Sequence, residues 1–316
     1  MRRSRLVAMI GLAGFLVVLA PGVPAFATFP GQHNGRIAYL VKAGANPWGY
    51  IWSVNPDGSA PKQLTLGGRE LEPKWSPNGA EIAYVGHLPK PNRELTAIWT
   101  MNADGSGNTQ ITSSGIQPTW SPDGKWIAYI NGGVWKIRST APYGKPIQVT
   151  FPQKLSNSNT FVGDGQPAWS NDGTTIAFDR YTSYSSGTQS EGELDTVNVT
   201  SLKVTRFITG PCGAFDGYNS PNYGPGGRYL LYTYSNGGCL KPPSGIYSIA
   251  VTGGSAKLIA DGDSAAWSPV GGSQIVYDVL TNGSTPPTAI WIANVNGTGA
   301  HKIVSPGVEP DWQPLA

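Results

Sequence analysis

The chain has 316 residues, of which only 13% are charged, while 42 are glycine, 27 are proline and 11 are tryptophan. Basic residues exceed acidic ones by 22 to 19, but three of the basic residues lie in the first 27 positions, which contain no acid. The rest is therefore balanced, which excludes the basic surface of a nucleic-acid-binding protein. Many turn residues and aromatics with few charges are typical of short strands joined by tight turns.

The first 27 residues have the organisation of a secretory signal peptide. Three arginines among the first five positions precede an apolar run from Leu6 to Ala20, and residues 25–27, Ala-Phe-Ala, provide a cleavage site. A membrane anchor is the alternative, but this run is shorter than the roughly 20 residues that span a bilayer. We predict cleavage before Thr28, a secreted or periplasmic, cell-envelope location, and no membrane span after cleavage.

One pattern recurs through the rest of the chain. Its fullest copy is PTWSPDGKWIAYI at residues 118–130, and the aromatic residue of each copy follows the previous one at intervals of 44 to 54 residues. A period of about 40–50 residues made of short strands predicts a β-propeller with one blade per repeat. The marker aromatics are Trp75, Trp120, Trp169, Tyr223, Trp267 and Trp312.

Each repeat contains four strand segments, A to D, with the marker aromatic on A. The last repeat stops after strand A, whereas the first begins with strand B at Gly35. We therefore predict an all-β, six-bladed propeller of four-stranded antiparallel blades over residues 35–316, after a short lead at 28–34. The N-terminal strands B to D are expected to pair with the C-terminal strand A, which removes exposed lateral edges.

The repeat resembles that of the TolB-like, WD40-like (PD40) β-propeller family. The motif Pro-x-Trp-Ser-Pro-Asp-Gly followed by an Ile-Ala-Tyr/Phe strand is complete at 118–129 and nearly complete at 73–84 and 167–178, and the resemblance covers residues 35–316. It implies a propeller, and the short stretch between Thr28 and the first strand leads us to expect no N-terminal α/β domain like that of TolB. By analogy of fold, it also implies protein–protein interaction in the cell envelope.

Asp123, in the Ser-Pro-Asp-Gly segment, could be mistaken for a catalytic acid. Ser121 to Gly124 fits an A-to-B hairpin turn, because proline suits the second turn position and glycine accepts a left-handed conformation at the last. Asn78 and Asp172 precede glycines at equivalent positions. The repetition indicates a structural turn residue. The marker aromatics are likewise predicted to pack between blades, with ligand stacking as the alternative.

A proline lies two residues before the marker aromatic in five of the six repeats. Proline cannot donate to a strand ladder, so strand A is expected at the inner edge of each blade, beside the channel. The residue directly before this proline position should lie at the channel mouth. A ring of polar side chains there could hold water, a cation or a peptide; a hydrated entrance without a ligand is the alternative. The ring residues are Glu72, Gln117, Gln166, Ser220, Ser264 and Glu309.

Connections after strands B and D should emerge on one face, and the longest are 151–166, 181–192, 210–220 and 235–244. Long loops on a rigid scaffold often carry recognition, and aromatic residues are enriched in protein interfaces. Solvated Ser, Gly and Asn insertions are the alternative. The candidate binding residues in these loops are Phe161, Tyr181, Tyr184, Phe215 and Tyr218.

The two cysteines, Cys212 and Cys239, are expected in loops on this same face, one entering the fourth complete blade and one between its strands B and C. An exported protein meets oxidising conditions, so we predict a disulfide; two unpaired thiols are the alternative.

Signals for catalysis are weak. The three histidines, His33, His87 and His301, belong to no spaced metal motif, and neither a GxSxG elbow nor a phosphate loop is present. We predict no catalytic residue, no metal site and no cofactor. The favoured function is a monomeric scaffold that binds a protein partner. The alternative is a small ligand or metal bound at the channel mouth by Glu72 and Glu309, with or without hydrolase or lactonase activity.

Overall fold

The computed structural model describes residues 32–42, 48–87, 95–152, 160–184, 190–209, 217–236, 242–279 and 288–315. Within these ranges the chain forms 24 β-strands and no helix, which confirms the all-β prediction. The predicted signal peptide and both cysteines lie outside the described residues.

The first seven strands are β1 (His33–Lys42), β2 (Gly49–Val54), β3 (Lys62–Gln63), β4 (Glu70–Trp75), β5 (Glu81–His87), β6 (Thr96–Asn102) and β7 (Thr109–Gln110). The next eight are β8 (Ile116–Trp120), β9 (Trp126–Ile130), β10 (Val134–Arg138), β11 (Ile147–Gln148), β12 (Thr160–Trp169), β13 (Thr175–Tyr184), β14 (Ser190–Asn198) and β15 (Val204–Thr209). The last nine are β16 (Gly217–Tyr223), β17 (Tyr229–Ser235), β18 (Gly245–Ala250), β19 (Lys257–Ala260), β20 (Asp263–Trp267), β21 (Gln274–Val279), β22 (Ala289–Asn294), β23 (His301–Val304) and β24 (Val308–Leu315).

The strands form a propeller of four-stranded antiparallel blades, but the pairing separates four blades rather than the predicted six. Strands β8–β11, β12–β15, β16–β19 and β20–β23 are separate sheets, while the other eight strands form one sheet in the order β24-β1-β2-β4-β5-β6-β7, with β3 beside β2. Two four-stranded units, β24-β1-β2-β3 and β4-β5-β6-β7, are joined there, and β3 covers Trp52 and Ser53 of β2. The edge at Gly49 is left open, and in the described chain β2 and β4 pair only through Gly49 and Glu70.

The two ends of the chain meet in this joined sheet, as the incomplete first and last repeats predict. Strand β1 pairs antiparallel with β24, with Ile37 opposite Trp312. The side chain of Gln313 accepts from the Arg36 backbone N–H over 2.9 Å and donates to the Gly79 carbonyl over 2.7 Å. One buried amide thus ties the C-terminal strand both to β1 and to the β4–β5 turn.

The core consists of apolar clusters between facing sheets. Five marker aromatics are 2–8% exposed and pack in these clusters. Burying a large apolar side chain contributes roughly 1.5–3 kcal/mol, so the marker positions are part of what holds neighbouring blades together. Trp267 differs from the other five because its side chain is partly exposed.

Asp123 is a turn residue, as predicted. Its Oδ1 accepts hydrogen bonds from the Ser121 hydroxyl over 2.7 Å and from the Lys125 backbone N–H over 3.1 Å. The glycine that follows has a φ of 69°, the left-handed conformation that suits this position. The side chains of Asn78 and Asp172 make the same two kinds of bond in their own hairpins.

One sheet rises above the others at the face expected to carry the long loops. Strands β12, β13 and β14 contain 10, 10 and 9 residues, and we call their extension, residues 160–166, 179–184 and 190–194, the raised wall. The prediction of loops throughout 151–166, 181–192 and 210–220 is wrong for residues 160–166, 181–184, 190–192 and 217–220, which are strand.

Charged side chains pair across the three strands of the raised wall. Arg180 donates to Oδ1 of Asp164 through Nε, 2.7 Å, and to Oδ2 through Nη2, 3.1 Å, while Nη1 lies 3.3 Å from Oδ2 of Asp195. The bidentate geometry fixes β12 against β13 and β14.

Candidate functional site

Each inner strand contains a bulge at the residue predicted to lie at the channel mouth. In β4 the register shifts between Leu71 and Lys74, and equivalent shifts occur in β8, β12, β16, β20 and β24. The residue at each bulge has a φ between 41° and 58°, which is uncommon for residues other than glycine. These six residues are Glu72, Gln117, Gln166, Ser220, Ser264 and Glu309.

Hydrogen bonds run from bulge to bulge around the channel. The backbone N–H of Glu72 donates to Oε2 of Glu309 over 2.8 Å, and that of Gln117 donates to Oε2 of Glu72 over 2.7 Å. The N–H of Gln166 donates to Oε1 of Gln117 over 2.9 Å, and the N–H of Ser220 donates to Oε1 of Gln166. Each long side chain therefore accepts the N–H that the next bulge turns out of its ladder. We call these six residues the bulge ring.

Ser220 and Ser264 have side chains that are too short to reach the next bulge. Aspartate side chains accept the bulge N–H groups there instead. The N–H of Ser264 donates to Oδ1 of its neighbour Asp263 over 2.7 Å. The N–H of Glu309 donates to Oδ2 of Asp278 over 2.8 Å. Sequence reasoning missed both aspartates, although Asp278 is an acid that follows Ile, Val and Tyr in β21, and this was a usable signal.

The ring is acidic where the two ends of the chain meet. Burial, followed by the charge of Glu309, raises the pKa of Glu72 to about 8. Burial also raises the pKa of Glu309, and it raises the pKa of Asp278 to about 7. Asp311 lies beside them, where burial raises its pKa, and its Oδ1 is 3.7 Å from Nζ of Lys74. The cost of burying these carboxylates favours their protonated forms.

A cavity of about 160 Å³ lies inside the ring. Its wall combines the bulge ring with prolines and marker aromatics, so polar edges alternate with apolar surface. In the described part of the chain, no three His, Cys, Asp or Glu side chains lie together as a metal-binding group. The other lining residues are Lys74, Trp75, Pro118, Thr119, Trp120, Pro167, Ala168, Trp169, Pro221, Asn222, Tyr223, Ala265 and Asp311.

Of the five predicted loop aromatics, the structure describes the side chains of Tyr181 and Tyr218. Tyr181 is 37% exposed on the raised wall. Tyr218 was expected in a recognition loop, but it is 6% exposed, because its ring packs 5.5 Å from that of Tyr232 in an aromatic cluster. The side chains of Phe161 and Tyr184, and the whole of Phe215, lie outside the described residues.

The comparisons with known proteins agree with the propeller fold. The model of the TolB beta propeller domain family, PD40, matches residues 26–315. No curated protein sequence matches the chain. Within the described ranges, no helix has the length and apolarity needed to cross a membrane.

Three solved structures illustrate the likeness of fold. TolB from Acinetobacter baumannii is 19% identical with a TM-score of 0.66, and the match covers 89% of this chain and 67% of that one. An oligogalacturonate lyase in complex with manganese is 14% identical, TM-score 0.53, over 86% and 74%. The periplasmic gluconolactonase PpgL of Pseudomonas aeruginosa is 10% identical, TM-score 0.52, over 90% and 100%.

At these identities the likeness extends to the fold alone, since one fold hosts many functions. The family model, which spans nearly the whole chain, goes further: the predicted family is confirmed, and the chain belongs to the TolB beta-propeller (PD40) family.

Proposed function

We propose that the protein is an exported, non-enzymatic scaffold that binds another protein through the face carrying the raised wall. Supporting this proposal are the signal-like N-terminus and membership of a family named for the propeller of TolB. On the same basis we place it in the cell envelope or outside the cell, as a monomer, with Cys212 paired to Cys239. We also infer that the joined eight-stranded sheet acts as two blades, which makes six in all.

The observation that carries the proposal is the interchange of glutamate and glutamine in the bulge ring. Glu72 and Gln117 occupy equivalent bulges, and each uses one side-chain oxygen to accept the N–H of the next bulge. A carboxylate and an amide do this work equally well, so the position needs an acceptor and not a charge. This shared use of glutamate and glutamine supports a structural role for the bulge ring, which joins neighbouring inner strands.

The raised wall is a suitable binding surface because its strands are held in place and its Tyr181 side chain is exposed. The pairing of Arg180 with Asp164 and Asp195 holds its strands in place, which lowers the entropy lost on binding. Tyr181 lies across Gly163, where a Cβ would come within 2.3 Å of the tyrosine Cζ. The glycine lets the ring lie flat against the wall, with more than a third of its surface exposed.

The experiment is capture of partners from envelope extracts by the immobilised protein and by two variants. Tyr181→Ala should reduce recovery of the specific partner by about tenfold, as expected for an aromatic anchor. Val270→Ala is the matched control, since Val270 is similarly exposed, at 39%, in the β20–β21 turn. Equal recovery by all three proteins would contradict the placement of the binding surface.

A second candidate function is binding of a small ligand or metal in the central cavity, with or without hydrolase activity of the protein. The observation in its favour is the pair of buried carboxylates, Glu72 and Glu309, that line the 160 Å³ cavity. The solved neighbours described as a lyase with manganese and a gluconolactonase share the fold. Metal analysis of the purified protein and of Glu72→Gln/Glu309→Gln tests it: stoichiometric metal lost in the double variant would favour the cavity.

A further inference from the structure

A second concave surface lies on the opposite face from the raised wall, between the β16–β19 and β20–β23 sheets. It is an open groove of about 720 Å³, within the range of ligand sites. One side is formed by the β16–β17 turn and the strands that follow it, and the other by Trp267 and the β20–β21 turn. We call it the Trp267 groove.

The groove exists because the fourth Ser-Pro-Asp-Gly turn is replaced by glycines. In the other complete repeats a turn serine bonds back to the strand that follows, as the Ser121 hydroxyl does with the Trp126 N–H over 2.9 Å. Gly224 stands at this position in the β16–β17 turn, and a Cβ there would lie 2.9 Å from Cε2 of Trp267. The indole ring therefore rests on bare backbone at a place where the other hairpins have a side chain.

The same substitution leaves aromatic surface uncovered. Trp267 is the one marker aromatic in the described chain that is partly exposed, and its Nε1 is already used on the Asn222 carbonyl, 3.0 Å away. The exposed part of the ring lines the groove and offers apolar surface to a ligand. Tyr229 lines the same groove and is 52% exposed, which is high for an aromatic residue. Rigid rings present large contact areas at little entropic cost.

The charges in the groove have one sign. Arg228 and Lys257 line it, both are exposed, and neither makes an ion pair within the described ranges. No Asp or Glu is among the residues that form the wall. Ser248 lies directly opposite Lys257 in the β18–β19 pairing, so the two side chains share one face of the sheet. An occupant with carboxylate groups would gain charge-assisted hydrogen bonds at both cations.

We propose that the Trp267 groove binds an acidic carbohydrate chain. The C–H faces of sugar rings pack on the exposed faces of Trp267 and Tyr229, and uronic acid carboxylates pair with Arg228 and Lys257. A carbohydrate fits better than an acidic peptide, because two flat aromatic faces over glycine and proline backbone offer stacking surface rather than pockets for alternating side chains. This site is separate from the raised wall and does not depend on the function proposed there.

The test is calorimetric titration of the full chain with a mannuronic acid hexamer. Mannohexaose, the neutral counterpart, and hexaglutamate are the comparison probes. We expect the acidic sugar to bind about tenfold or more tightly than either comparison probe. Arg228→Gln/Lys257→Gln should remove this preference over mannohexaose, and Tyr229→Ala should weaken binding of both sugars.

The matched control is Arg69→Gln/Lys203→Gln, which removes the same charge from exposed positions elsewhere and should leave binding unchanged. Thermal melts of all variants verify folding. No binding of the acidic hexamer, equal loss in the control variant, or tighter binding of hexaglutamate that is insensitive to Tyr229→Ala would each overturn the proposal. The last result would assign the groove to acidic peptides.

Discussion

The backbone N–H of Gln117 donates to Oε2 of Glu72 over 2.7 Å and thereby joins two neighbouring inner strands. The bond is possible only because Gln117 has a φ of 58°, which turns its N–H out of the β8–β9 ladder. A buried N–H without an acceptor is costly. The bulge and the glutamate therefore depend on each other, and four such bonds join the bulges from Glu309 through Glu72, Gln117 and Gln166 to Ser220.

Two substitutions of Glu72 distinguish its role as a hydrogen-bond acceptor from any role of its charge. Glu72→Ala leaves the Gln117 N–H without its partner and should lower the free energy of unfolding by about 1–3 kcal/mol. Glu72→Gln keeps an oxygen in place, as the native Gln117 and Gln166 do, and should be as stable as the wild type or more so at neutral pH. Urea denaturation measures both. Equal destabilisation by alanine and glutamine would show that the ring needs the charge.

The buried carboxylates predict a pH dependence of stability. Folding raises the pKa of Glu72 to about 8 and that of Asp278 to about 7, both above their values in the unfolded chain. The folded state therefore holds more protons, and this stabilisation is complete below about pH 4 and lost as the pH rises through 7 to 8. We expect the melting temperature to fall between pH 5 and pH 8.

Glu72→Gln should flatten that fall, by up to about 1.4 kcal/mol per pH unit. Asp104→Asn is the control, because hydrogen bonds from Ser106 lower the pKa of this exposed acid. Its contribution is lost only at acidic pH, so the slope from pH 5 to 8 should not change. A melting temperature that rises over this range would contradict the assignment of raised pKa values.

The turn at Asp123 can be tested with a substitution that the chain itself contains. Asp123→Asn reproduces the Asn78 turn and should change stability by less than about 0.5 kcal/mol. Asp123→Ala removes the acceptor for the Ser121 hydroxyl and the Lys125 N–H and should cost about 1 kcal/mol. Neither should alter partner capture. Loss of capture in Asp123→Asn would indicate a functional carboxylate.

Much of the fold and the position of the bulge ring could be predicted from the sequence, because the proline, the marker aromatic and the turn glycine recur in each repeat. Asp278 left a signal as an acid after apolar residues, but its partner could not be predicted, since Asp278 meets Glu309 only once β24 has paired with β1. Residues 160–166 resemble a loop because Gly163 and Gly165 flank an aspartate. The segment is strand, and its Asp164 is paired with Arg180 of β13; this contact between separate segments leaves no local pattern in the sequence.

Closure of the chain ends depends on close backbone approach at Gly79. A Cβ there would lie 2.0 Å from the Pro314 carbonyl oxygen, and the residue has a φ of 66°. Gly79→Ala should therefore displace β24 and lower the melting temperature strongly. Gly132→Ala is the matched control, because its φ is 69° and a Cβ meets nothing within 4 Å. It should cost about 1 kcal/mol from backbone strain alone. Similar melting temperatures for the two variants would argue against closure through this contact.

The most direct test of the central claim compares partner affinity in Glu72→Gln/Glu309→Gln with that in Tyr181→Ala. Surface plasmon resonance with the captured partner supplies both dissociation constants. If the bulge ring is structural and the raised wall binds, the double variant keeps the wild-type affinity while Tyr181→Ala weakens binding by about tenfold. The reverse pattern, with affinity lost in the double variant and kept in Tyr181→Ala, would place function in the channel and contradict the account.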